Sequence, residues 1–241
     1  LVFTDADCYP ASNDWLLQIS TQFTKEKTIV LSYGAYEKVK NSFLNKIIRF
    51  ETMLTATQYF SWAKIGKPYM GVGRNLAYKK EEFFNVRGFM DHMKIRSGDD
   101  DLFINQAATK KNTAILYTPE SFTFSEPKTT FSSWVYQKRR HATTAKFYKG
   151  FDKFQLGLFF FSQFWFLVLA IVLLAFQFQW MIVTGIIVFR YLFSWISLGY
   201  AAGKLKEKDV MYWYPIIEIV LIFTQLSVFF RNLISKPVHW K

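Results

Sequence analysis

The chain has 241 residues, of which 51% are hydrophobic and 20% aromatic, and carries a formal net charge of +12. An excess of that size suits nucleic acid or a membrane surface. The basic residues flank long apolar runs and no nucleic-acid module is legible, so membrane lipids are expected and nucleic acid is excluded. The single cysteine, Cys8, excludes an internal disulfide and a cysteine-based zinc site, and reads as a small core thiol.

Charges and turns alternate up to about Lys153, and apolar runs dominate from Phe154. That shift divides the chain into a catalytic-type part, 1–150, and a membrane part, 151–241. Leu1-Val2-Phe3-Thr4 reads as the end of a buried strand, followed at once by Asp5-Ala6-Asp7. Opening inside a strand, the chain reads as a fragment whose earlier βα units precede Leu1. In open α/β sheets ligands bind beyond the carboxyl ends of strands, where two carboxylates one residue apart suit one hard divalent cation. The same acids also fit an ordinary surface turn.

After Pro10, a helix to about Phe23 is expected to pack on the sheet through Trp15, Leu16, Ile19 and Phe23. Thr28–Ser32 reads as a strand, and Asn41 to about Lys64 as a long aromatic-rich helix ended by Gly66 and Pro68. In Gly71-Val72-Gly73-Arg74-Asn75 the glycines allow close backbone approach of a ligand, with Arg74 and Asn75 beside it; a bulged strand explains them as well. A short helix is expected near Lys79–Phe84. Arg96-Ser97-Gly98-Asp99-Asp100-Asp101 then opens another helix. One or two acids suffice at a helix N-terminus; three in a row repel, which raises at least one pKa and suits a general base. Thr113–Tyr117 reads as a strand, and Pro119 and Pro127 bracket a loop.

Trp134–His141 is a basic amphipathic helix, either a juxtamembrane belt or a phosphate clamp. Three apolar segments follow, near 154–176, 180–202 and 210–230, each long enough to cross a bilayer. Basic residues up to Lys153 and Lys204, Lys206 and Lys208 place both flanks of the first two on one side. Arg231, Lys236 and Lys241 conflict with a third crossing, which a re-entrant segment bent at Pro215 would remove. Arg190 and Glu218, inside apolar runs, are expected to pair.

In order and spacing the set resembles the membrane-bound family 2 glycosyltransferases. Asp5-Ala6-Asp7 is similar to their Asp-x-Asp, Gly98-Asp99-Asp100 to their catalytic-base motif, and Gln137-Lys138-Arg139-Arg140-His141 to their Gln-x-x-Arg-Trp. The resemblance implies an α/β fold: part of a GT-A (Rossmann-like nucleotide-diphospho-sugar transferase) domain, followed by an α-helical transmembrane region. It implies inverting transfer from a nucleotide-sugar, UDP- or GDP-linked, to a lipid-linked or glycan acceptor. Asp7 with Asp5 would hold Mg²⁺ or Mn²⁺ and the donor, Gln137 and Arg140 would clamp the donor, and Asp100 would be the base, with Asp101 in reserve and Asp99 completing the triplet. Arg74, Asn75 and His141 are candidate acceptor contacts, His141 standing where the family has Trp. The expected location is a bacterial inner membrane, multi-pass, with the catalytic domain cytoplasmic. A processive polysaccharide synthase and a non-catalytic membrane scaffold or transporter remain as alternatives.

Overall fold

A computed structural model describes residues 1–93, 95 and 97–235. Arg96, Lys236 and Lys241, used in the sequence argument, lie outside the described residues.

The first part is built on two small sheets. In chain order its elements are β1 (Val2–Phe3), β2 (Cys8–Pro10), α1 (Trp15–Ser20), β3 (Ile29–Ser32), β4 (Gly34–Tyr36), α2 (Phe43–Lys64), β5 (Leu76–Tyr78), α3 (Lys80–Asn85), α4 (Asp101–Ala107), β6 (Thr113–Leu116), β7 (Thr123–Ser125) and α5 (Phe131–Ala142). One sheet has the order β1-β5-β3-β6, the other β2-β7-β4. β3 is buried throughout and central, parallel to β6 and antiparallel to β5. Its run of branched apolar residues suits a strand covered on both faces. Only Tyr33 separates β3 from β4, so one extended segment serves both sheets.

β2, β4 and β7 were not foreseen, and β7 lies inside the expected proline-bracketed loop. Each has three residues, too few to show a period of two. The helix after Pro10 is shorter than expected. Ile19 packs against Val30, Ala77 and Leu116, but Leu16 is 58% exposed and contributes nothing to that contact.

α2 begins at Ser42, whose side chain accepts the Asn45 N–H at 3.1 Å. The buried Asn45 amide in turn donates to the Glu37 carbonyl at 2.8 Å and accepts the Val39 N–H at 3.0 Å, docking α2 onto the exit of β4. Met53, Ala56, Tyr59 and Phe60 then supply core on its inner face. The aromatic richness of this helix is therefore largely core packing.

The second part consists of α6 (Gly150–Ala175), α7 (Trp180–Lys204) and α8 (Tyr214–Ile234). α6, α7 and the stretch Lys208–Ile234 are each long and apolar enough to cross a membrane. Gln177 and Gln179, with φ of 51° and 43°, make the tight link between α6 and α7. Pro215 does not bend α8. It sits in the helix's first turn, where a missing N–H breaks no intrahelical bond.

Arg190 and Glu218 do pair. Arg190 donates to both Glu218 oxygens, at 3.0 and 2.5 Å, and the Tyr191 and Tyr214 hydroxyls donate to the same carboxylate at 3.0 and 3.1 Å. In a low-dielectric bundle such a satisfied pair couples two helices. Each half left alone is a desolvated charge. Neutralising both (Arg190→Met with Glu218→Gln) is expected to destabilise less than either change alone, with a coupling of roughly 1–2 kcal/mol in thermal unfolding of detergent-solubilised protein. Additive single effects would count against it.

Candidate active site

The opening acids leave β1 in a turn closed by the Cys8 N–H bonding to the Asp5 carbonyl at 3.0 Å. This brings one donor atom each from Asp5, Asp7 and Cys8 within 4.8 Å of one another. Cys8 is half-buried on β2 beside the acids, its sulfur 3.8 Å from Asp7 Oδ1, not in the core as expected. Two carboxylates at this spacing are hard oxygen donors that fit Mg²⁺ or Mn²⁺; the thiol is a soft donor that neither ion needs.

Burial raises the Asp5 pKa most. The charges of Asp7 and Asp99 raise it further, and those of Arg74 and Arg140 oppose them. The four groups that act on Asp5 come from the opening turn, the Gly-rich stretch, the acidic triplet and α5. Segments far apart in sequence thus share one electrostatic neighbourhood.

Gly98, at φ +93°, leads into the triplet. A Cβ there would meet Asp101, Leu102 and Thr144 at 2.8 Å, so both conformation and space require glycine. The three acids then part ways. Asp99 is exposed. Asp100 accepts the Gly73 N–H at 2.6 Å through Oδ2 and the Asp101 N–H at 2.8 Å through Oδ1. Burial first, then the Asp101 charge, push its pKa up to about 7 against those two bonds. Asp101 is buried, and its Oδ2 accepts the Thr144 hydroxyl at 2.6 Å and the Tyr148 hydroxyl at 2.5 Å. It ties the start of α4 to the link between α5 and α6.

Both glycines of the Gly-rich stretch are closely approached by other parts of the protein. A Cβ on Gly73 would stand 3.3 Å from Asp100 Oδ2, and one on Gly71 would press on Leu31, Ile104 and Leu76. At Gly73 the backbone comes close to the Asp100 carboxylate, whose Oδ2 accepts its N–H. A Cβ at Gly73 would require the Asp100 carboxylate to give by a few tenths of an ångström.

Arg74 donates through Nη1 to the Ala35 carbonyl at 3.2 Å and to Ser125 Oγ at 3.0 Å, and its guanidinium lies 4.2 Å from the Tyr36 ring centre. Gln137 Nε2 reaches the Tyr36 hydroxyl at 3.5 Å. Tyr36 therefore stands between the Gly-rich stretch and α5. Nothing in its sequence context marked it, or Thr144 and Tyr148, because partners so far apart in the chain leave no local spacing. Asn75 is fully buried: its amide donates to the Tyr33 and Ser121 carbonyls at 2.9 and 2.8 Å and accepts the Trp15 indole N–H at 3.2 Å. Unlike Arg74, it braces the frame beneath the site and presents no surface to an acceptor.

On α5, Arg140 interacts with Asp5 and with His141. His141 is open to solvent at its edge, yet surrounding protein first, then the Lys138, Arg140 and Arg74 charges, hold its pKa well below the usual value. It is a neutral imidazole at physiological pH. Lys138 instead turns away to pair with Glu51 on α2.

The arrangement offers two carboxylates that could hold a metal ion, a half-buried carboxyl whose pKa is pushed up to about 7, and two arginine charges that act on Asp5. Two clefts lie apart from it: one of about 370 Å³ lined by Tyr9, Ala11, Glu37, Lys38 and Phe124, and one of about 300 Å³ between α2 and the membrane helices. Of the acids, Asp5, Asp7 and Asp99 are open to solvent. Among comparisons with known proteins, the model of the family described as glycosyl transferase family group 2 matches residues 2–206. No curated protein matches the chain significantly.

Proposed function

The chain belongs to glycosyl transferase family group 2, and on that premise we propose that it moves a sugar with inversion from a UDP- or GDP-linked donor to a lipid-linked or glycan acceptor at the cytoplasmic face of a bacterial inner membrane. It is a glycosyltransferase, and its mixed sheets with helices fit part of a GT-A domain. The family implies a nucleotide-sugar donor and an acceptor. The three long apolar helices mark a membrane protein. The observation that supports the reading most is the shared field of Asp5, Asp7, Asp99, Arg74 and Arg140.

Asp5 and Asp7 would hold Mg²⁺ or Mn²⁺, which when bound neutralises charge on the donor diphosphate. Arg140 adds fixed positive charge on the leaving-group side, and Gln137, on the same helix, holds the donor with it. The acceptor hydroxyl gives its proton to an Asp100 carboxylate oxygen as its own oxygen bonds to the anomeric carbon. The anomeric bond to the diphosphate breaks in the same displacement, and the nucleoside diphosphate leaves. Asp101 acts through position, holding the start of α4, and by raising the Asp100 pKa. Arg74 and His141 border the acceptor side, and Asn75 supports them from below.

Removing a metal-holding carboxylate tests this directly. Asp7→Asn is expected to lower kcat/KM for the donor ~10²–10³-fold and raise the Mn²⁺ concentration needed for half-maximal transfer. An unchanged metal dependence would remove Asp7 from the donor site.

A further inference from the structure

α8 is 21 residues long, which at 1.5 Å per residue is roughly 32 Å, enough to cross a bilayer. Its two ends are nevertheless both fastened to the catalytic domain. At its start, Tyr214 stacks on Phe50 of α2 at 5.5 Å. Just before it, Asp209 bonds Arg49 of α2 and Lys38, at 2.6–2.8 Å. At its end, Arg139 of α5 donates to Asn232 Oδ1 at 3.0 Å and to the carbonyls of Arg231 and Ser235 at 3.2 and 2.5 Å. Asn232 returns a bond to the Arg139 carbonyl at 2.9 Å. α2 and α5 are themselves joined by the Lys138–Glu51 ion pair. A helix fixed at both ends to one water-facing domain does not emerge on the far side of the membrane.

Its burial agrees. Of its most apolar stretch 39% is buried inside the protein, against 0% for α6 and 6% for α7. Ile217, Leu221, Thr224 and Val228 form the inward face, while Ile216, Phe223, Phe230 and Leu233 form an exposed apolar one. α8 packs against α6, and the exposed Lys204, Lys206, Lys208 and Arg231 lie near its two ends in sequence. Apolar surface rimmed by cations is what the boundary between acyl chains and anionic head groups accommodates.

We infer that, of the three long apolar helices among the described residues, α6 and α7 cross the membrane and α8 does not, lying instead in the leaflet facing the catalytic domain with its Ile216–Phe223–Phe230–Leu233 face in the acyl region. The lysine loop and Arg231 then share one side, which removes the charge conflict of a third crossing. The inference holds whatever sugar is transferred.

Single-cysteine variants of the full chain, made on Cys8→Ser and reconstituted in sealed vesicles of phosphatidylethanolamine and phosphatidylglycerol, test it with a membrane-impermeant maleimide. Lys208→Cys and Ser235→Cys are expected to react from the same side, and Gln177→Cys from the opposite one. Reaction of Ser235→Cys together with Gln177→Cys would overturn the inference. Should Ser235→Cys react from neither side, a bimane on Phe223→Cys decides by depth-dependent quenching with spin-labelled lipids. Strongest quenching by shallow labels is expected; quenching strongest at the bilayer centre, or none at any depth because protein covers the face, would overturn it.

Discussion

Asp100→Asn is expected to reduce sugar transfer by ~10²–10⁴-fold while donor binding and folding persist. The amide keeps a carbonyl for the Asp101 N–H but cannot take up the acceptor proton. It also relieves the cost of a buried charge, which offsets the weakened contact with Gly73 and leaves stability within about 1 kcal/mol of wild type. A structural role alone predicts the reverse pattern, lost stability with transfer falling only in proportion. Asp101→Asn is the control. Its carboxylate already takes two buried hydroxyls, so its main effect is on how α4 is held to the link between α5 and α6. Wild-type turnover in Asp100→Asn would move the base elsewhere.

Arg49→Ala is expected to cost about 3–5 kcal/mol of stability, a drop of roughly 6–20 °C in Tm for the detergent-solubilised protein. Arg49 is buried on α2 and donates to Glu207 through Nε at 2.9 Å and through Nη2, and to Asp209 at 2.6 and 2.8 Å. Glu207 is buried too, on the loop after α7. Without the guanidinium its carboxylate is an uncompensated charge where the catalytic domain meets the membrane helices. The sign with pH follows from Glu207. Burial raises its pKa from 4.5 to about 7 even with Arg49 present, so the folded state binds an extra proton between those values. Stability from this group falls as pH rises through that window, and more steeply once Arg49 is gone. The loss in Arg49→Ala is therefore smaller at pH 5.5 than at pH 8. Arg49→Ala combined with Glu207→Gln should recover part of it at pH 8, since the buried charge has been removed. An Arg49→Ala protein as stable as wild type at pH 8 would mean that α2 and the loop are held by apolar packing alone.

The sequence and the structure agree where a pattern is long. α2, α6 and α7 announce themselves by apolar spacing over 20 or more residues, and Arg190 and Glu218 stand out because an apolar run makes any charge conspicuous. Three-residue strands carry no such signal, which is why β2, β4 and β7 were missed. Within the site, the acids and arginines were legible by type, but their divergence was not. Which of Asp99, Asp100 and Asp101 is bonded to Gly73, and which to Thr144 and Tyr148, depends on contacts across 27 to 47 residues. Asn75 looked like a ligand beside Arg74 because neighbours in sequence suggest neighbours in role. The short helical turn Gly73–Asn75 sends one side chain to the Tyr36 ring and the other into the frame. For α8, length and hydropathy report what a helix can do in a bilayer, whereas Arg139 and Phe50 report where its ends are held.

The pH dependence of kcat at saturating donor, acceptor and Mn²⁺ tests the central assignment most directly. Asp100 must be ionised to accept a proton, and its folded pKa stands near 7, so turnover should rise as pH increases through about 7 and level off above it. The same limb should vanish from the residual turnover of Asp100→Asn. A wild-type kcat that is flat from about pH 5.5 to 8.5, or a limb that survives unchanged in Asp100→Asn, would contradict the account.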